Sequence, residues 1–103
     1  MMLALRPNCE LCDKDLPPDA PDAHICTYEC TFCAECVDGV LMNVCPNCGG
    51  GFEKRPIRPR VARRPGVSLV HQPASETRIL TKYKRDEIAM FAEAAKEIAP
   101  ENR

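Results

Sequence analysis

Eight cysteines fall within the first 48 positions of a 103-residue chain, and their spacing limits the fold more than any other feature. They run Cys9-x2-Cys12, thirteen residues, Cys26-x3-Cys30-x2-Cys33-x2-Cys36, eight residues, Cys45-x2-Cys48. A Cys-x2-Cys turn points two thiolates to one side of a metal, and zinc asks for four soft ligands in a tetrahedron at about 2.3 Å. Eight cysteines fill two such shells, so two zinc ions per chain are expected. A closed four-thiolate shell is structural, because no position is left for water or substrate. Spacing alone leaves the pairing open. Sequential sets would be Cys9, Cys12, Cys26 and Cys30 with Cys33, Cys36, Cys45 and Cys48. Interleaved sets would be Cys9, Cys12, Cys33 and Cys36 with Cys26, Cys30, Cys45 and Cys48. His24 and His71 are expected to be non-ligands.

Disulfides are the competing use of so many cysteines, and compartment decides between them. The apolar run Met1–Leu5 is stopped by Arg6-Pro7, short of the roughly seven apolar residues of a signal-peptide core. No stretch has the length of a membrane span. A cytoplasmic location is therefore expected, and with it metal. The segment also needs a staple. Up to Phe52 its large apolar side chains number about a dozen, each worth roughly 1.5–3 kcal/mol when buried. Ordering the chain costs roughly 1.5 kcal/mol per residue, whereas a structural zinc contributes on the order of 10–16 kcal/mol.

Charge divides the chain. Residues 1–52 carry two basic and eight acidic side chains, a formal −6, and residues 53–103 carry twelve basic and seven acidic, +5. The halves could pair in cis or seek separate partners. Three zones are predicted: a two-zinc domain over 1–52, a Pro/Arg-rich extended linker over 53–70, and a tail over 71–103. The stretch EKRPIRPRVARRPG (53–66) is read as polyproline-like. Val67–Val70 is expected as a short strand and 72–75 as a turn. Ile88, Phe91, Ala92, Ala95, Ile98 and Ala99 follow helical spacing, predicting an amphipathic helix over about 84–99 that Pro100 ends. Such a helix is marginal alone and should pack, on its own zinc domain or on a second copy or partner. Residues 37–43 are expected to form one or two helical turns, and the loop 13–19 to lie unpacked at the surface. Gly49-Gly50-Gly51 suits a backbone that donates N–H groups to thiolate sulfur.

The ligand order resembles a RING finger in all-cysteine form. Leu11 inside CELC, Phe32 ahead of Cys33 in CTFCAEC, and Pro46 inside CPNC match the RING pattern between ligands. The resemblance implies the interleaved, cross-braced assignment: Cys9, Cys12, Cys33 and Cys36 at one zinc, Cys26, Cys30, Cys45 and Cys48 at the other. It also implies a shallow groove near Leu11, Leu41 and Pro46 as a contact surface, although for Leu41 ordinary packing is the stronger expectation. More specifically, LRPNCELCDKDLPPDA, the ECTFCAEC core and VCPNCGG followed by RPIRP resemble a bacterial family known as domain of unknown function 1272, over roughly residues 2–60. That family name assigns no activity.

The expected fold is thus a small metal-stabilised domain with little regular secondary structure, an extended basic linker and a C-terminal amphipathic helix. A zinc-stabilised protein-interaction module is the leading functional expectation, with homodimerisation through the tail helix as one form of it. Nucleic-acid binding through Lys54, Arg55, Arg58, Arg60, Arg63 and Arg64 is the alternative, weakened by the lack of interleaved aromatics. A ubiquitin-ligase-like adaptor and a thiol- or zinc-responsive switch rank lower. No nucleophile–base arrangement or phosphate-cradling loop is present, so no enzyme activity is expected.

Overall fold

The computed structural model describes residues 2–103. Regular structure is sparse, as a cysteine-rich chain with ten prolines should be. Strand β1 (Ala23–Ile25) pairs antiparallel with β2 (Thr31–Cys33) and with β3 (Glu53–Lys54), giving the order β2-β1-β3. The registers place Ala23 opposite Cys33, Ile25 opposite Thr31, and His24 opposite Lys54. Helix α1 (Ala34–Cys36) runs directly into a π-helical turn, Val37–Leu41. That turn ends at Met42 and Asn43, both left-handed with φ 52° and 60°. Two non-glycine residues in this region carry strain of order 1 kcal/mol or more each. It is held by the Phe52 N–H bonded to Asn43 Oδ1 at 2.9 Å and the Asn43 N–H bonded to Val37 O at 3.1 Å.

The core is built around sulfur. Six buried cysteines mix with Leu16, Ala20, Ala23, Phe32, Val37, Leu41, Phe52 and Ile88 in one cluster. Phe32 and Phe52 meet edge to face at 5.4 Å. Leu16 is 1% exposed although its loop was expected at the surface; its Asp and Lys neighbours remain exposed while the single leucine turns inward.

The expected boundary at residue 52 falls inside the sheet, because β3 follows it directly. Beyond β3 the basic stretch is not simply a solvated linker. Arg55 is 1% exposed, and its guanidinium donates to the carbonyls of Arg6 (2.8 Å), Pro17 (3.0 Å) and Leu16 (3.3 Å). Arg58 donates to the carbonyls of Leu3 (2.7 Å) and Gln72 (2.6 Å). Val67–Val70, expected as a strand, instead enters a turn in which the N–H groups of His71 and Gln72 both reach Ser68 O. Ser68 Oγ takes the Val70 N–H, a local bond that competes with a strand ladder.

The tail returns across the domain as a strap. Ser75 N–H bonds Leu5 O, Asn8 and Ile79 exchange side-chain and backbone bonds, and Thr81 N–H bonds Glu10 O. Arg78 grips Asp13 (2.9 Å) and Asp15 (2.7 Å), so the oppositely charged halves do pair in cis. Helix α2 (Arg85–Ala95) is closed at its start by the Glu87 carboxylate on the Lys84 N–H. It packs Ile88 and Ala92 onto the domain against the π-helical turn. It stops a turn short of the expected residue 99. Ile98 N–H already bonds Ala95 O, and Ala99, which precedes a proline, is extended. The chain then folds back so that Pro100 lies against Gly51, where an added Cβ would stand 3.2 Å away.

Candidate metal centres

Two of the three Cys-x2-Cys pairs sit in knuckles of one design. In the first, Cys9 N–H bonds Lys14 O (2.9 Å) and Asp13 N–H bonds Cys9 O (2.9 Å). In the other, Cys45 N–H bonds Gly50 O (2.8 Å) and Gly49 N–H bonds Cys45 O (2.7 Å). Both knuckles need a left-handed residue four positions after the first cysteine, supplied by Asp13 (φ 62°) and Gly49 (φ 82°). Glycine enters that region freely and aspartate is among the residues that tolerate it. Gly50 N–H points at Cys48 Sγ at 3.4 Å, the N–H–sulfur bond that the glycine run suggested. This shared turn was not legible as a repeat, since only the cysteines coincide.

The remaining four cysteines lie on the hairpin. Cys26 and Cys30 flank the β1–β2 turn, joined by Cys26 N–H on Cys30 O at 3.2 Å, with Glu29 left-handed at φ 67°. Tyr28 N–H bonds Cys26 Sγ at 3.3 Å. Cys33 ends β2 and Cys36 ends α1, so a strand-to-helix junction presents that pair.

The thiols gather in interleaved order. Cys9, Cys12, Cys33 and Cys36 have their sulfur atoms all within 4.8 Å of one another, and so do Cys26, Cys45 and Cys48. Cys30 lies outside that mutual distance, although the thiols of Cys45 and Cys26 act on it electrostatically. All eight cysteines are free thiols. Cys12 Sγ and Cys33 Sγ are 3.8 Å apart, far from a disulfide at about 2.05 Å. A tetrahedron of sulfur at about 2.3 Å from zinc has an edge of about 3.8 Å. The first cluster thus fits a tetrahedral dication. Neither histidine faces a cluster: His24 Nδ1 pairs with Asp22 O and His71 Nδ1 with Ser68 Oγ.

Thiols this crowded cannot all ionise on their own. Burial pushes Cys33 and Cys36 upward, with neighbouring thiols adding to the shift of Cys36, and Cys26 is driven up to about 11, mainly by burial. Cys45 is raised by its hydrogen bond to Cys30 and then by burial. Cys30 moves the other way, to about 5, chiefly through that same bond. Burial also works to raise Cys12, but the Lys14 N–H and the surrounding thiols overcome it and leave a net lowering. A bound dication reverses this balance, since it deprotonates a coordinating thiol. Beside the clusters Glu10, raised by burial, accepts from Thr31 N–H (2.7 Å), Arg6 (2.8 Å) and Asn47 (3.2 Å), tying the first knuckle to β2 and to the Cys45 knuckle. Its role was not visible in sequence.

A family described as protein of unknown function (DUF1272) matches residues 2–58. The chain belongs to this family. Within DUF1272, an uncharacterized protein of Rhizobium meliloti (strain 1021) is 56% identical over 79 residues, covering 77% of this chain and 87% of that protein. No solved structure matches the chain. The family's matched span ends at Arg58, so it takes in both knuckles, the hairpin, β3 and the two arginines that lock onto the N-terminal loops.

The other expected contact residues are placed differently. Leu41 is fully buried, Pro46 is buried, and Leu11 is half-buried against the core. Beside Pro46 the chain's own tail forms one wall of an open cleft, lined by Tyr83, Ile88 and Phe91. Of the six cations, Arg55 and Arg58 are committed internally, leaving Lys54, Arg60, Arg63 and Arg64 exposed. No helix among the described residues is long and apolar enough to cross a membrane.

Proposed function

We propose that the protein binds two structural zinc ions, one through Cys9, Cys12, Cys33 and Cys36 and one through Cys26, Cys30, Cys45 and Cys48. On this reading it serves as a non-catalytic, cytoplasmic interaction module. The observation that carries the reading is the gathering of seven of the eight free thiols into two clusters of interleaved order, four and three, with one sulfur–sulfur edge at 3.8 Å. That order supports a RING-type cross-brace. The partner is a protein, and its docking surface is not the buried Leu41–Pro46 region. The tail offers Met90 and Phe91 on α2 and Ile98 just beyond it, 76%, 42% and 42% exposed, as apolar contacts. Native mass spectrometry should find two zinc ions on the folded chain, and chelation should abolish its far-UV and near-UV signals. A compact, cooperative fold in excess chelator overturns the reading.

A second reading rests on the exposed Lys54, Arg60, Arg63 and Arg64, for which no ion pair occurs among the described residues. Four exposed cations over residues 54–64 could hold nucleic-acid phosphates, with affinity falling steeply as salt rises. Undetectable binding to DNA and RNA at low salt removes it.

A further inference from the structure

The two clusters are not equivalent. The first has four sulfurs in mutual reach, whereas the second has three, with Cys30 set apart. Its pair is also the only one with three intervening residues, and the longer turn closes through a left-handed, non-glycine Glu29. Cys30 lines a cleft of about 340 Å³, whose rim includes Arg6 with its ion-pair partner Glu10, Asn47, Tyr83 and Lys82, which is unpaired among the described residues. The four-sulfur cluster borders no comparable cleft among those described.

Building on the two-zinc reading, we propose that the second site is exchangeable: Cys30 is its detachable ligand, and a small anionic thiol entering the cleft takes its place on the metal. Three thiolates keep the ion in place while the fourth position changes hands. The step is substitution without redox. A sulfur–metal bond to the incoming thiolate forms as the bond to Cys30 breaks, and an incoming thiol passes its proton to the departing Cys30 sulfur. Lys82, free of ion pairs among the described residues and stacked over the Tyr83 ring at 5.3 Å, favours an anionic entrant. The protein would then hold one permanent zinc and one whose fourth ligand exchanges with thiols, which opens that site to release.

The test uses the full-length, zinc-loaded chain and the chromogenic chelator 4-(2-pyridylazo)resorcinol, with and without glutathione. Two phases of one equivalent each are expected, the faster by about 10–100-fold, the scale on which ligand support tunes metal sites, and accelerated by glutathione. Release of both equivalents in one phase overturns the inference and leaves the two-zinc reading standing. A total below two equivalents sinks the two-zinc reading itself. Cys30→Ser should change only the fast phase, and a change confined to the slow phase is contrary. Should that variant fail to fold, peptide mapping after brief iodoacetamide treatment of the loaded wild-type chain decides. Buried Cys30 should be alkylated before exposed Cys12 and Cys48, and the reverse order refutes the proposal.

Discussion

Arg55→Met is the substitution whose cost follows most directly from the coordinates. The guanidinium is 1% exposed and spans two separate segments, bonding the carbonyl of Arg6 and those of Leu16 and Pro17. Methionine keeps much of the stem's packing but removes every donor, so three inward carbonyls lose their partner. Hydrogen bonds to a charged group are worth roughly 1.5–3 kcal/mol each. Two of the three are short, at 2.8 and 3.0 Å. Against this, burial without a carboxylate partner already costs the cation something and lowers its pKa. The net loss should be about 3–5 kcal/mol, on the order of 15–30 °C in melting temperature. Arg55→Lys should recover less than half, because a single ammonium cannot reproduce the planar fork. Denaturant titration at fixed free zinc measures this, since bound metal shifts apparent stability. A loss below about 1 kcal/mol for Arg55→Met, with zinc content unchanged, would show that the three carbonyls do not need the arginine.

Ile88→Ala should cost about 2–4 kcal/mol through the cavity it leaves, without changing zinc stoichiometry; an unchanged denaturation midpoint refutes packing of α2 on the domain. If α2 also pairs two copies, light scattering on the full-length chain will show a dimer that deletion of residues 84–103 abolishes, and a full-length monomer ends that idea. Zinc loading should release protons, because Cys26 near 11 and the raised Cys33, Cys36 and Cys45 hold theirs at neutral pH until a cation arrives. Zinc affinity should therefore fall as pH drops, and equal affinity at pH 5 and pH 7 would contradict the thiol assignment.

The gathering of the thiols was legible because cysteine spacing is local: a two-residue gap has few ways to face both sulfurs inward. The helix was legible for a similar reason, its apolar period being written in consecutive turns. What escaped depends on parts of the chain that meet only after folding. Arg55 sits among prolines and cations and reads as solvated, and nothing nearby announces carbonyls almost forty or fifty residues away. Leu16 is one apolar residue in an acidic loop, too little for a period. Glu10 looks like an ordinary surface acid until β2 and the Cys45 knuckle close on it. Leu41 packs in the core, the stronger of its two expectations, and Pro46 lies buried at the edge of a cleft that the tail's Ile88 also lines.

The alternation of clusters along the chain also sets a timetable for synthesis. Residues emerge from the ribosome at about 5–20 per second, and the first cluster can close as soon as Cys36 is out. Cys26 and Cys30, already exported, must wait another twelve residues for Cys48. On the two-zinc proposal, the growing polypeptide is for roughly a second a single metal-tied loop with two thiols idle. The arginine lock and the tail strap arrive only afterwards, to seal a cysteine centre that is already assembled.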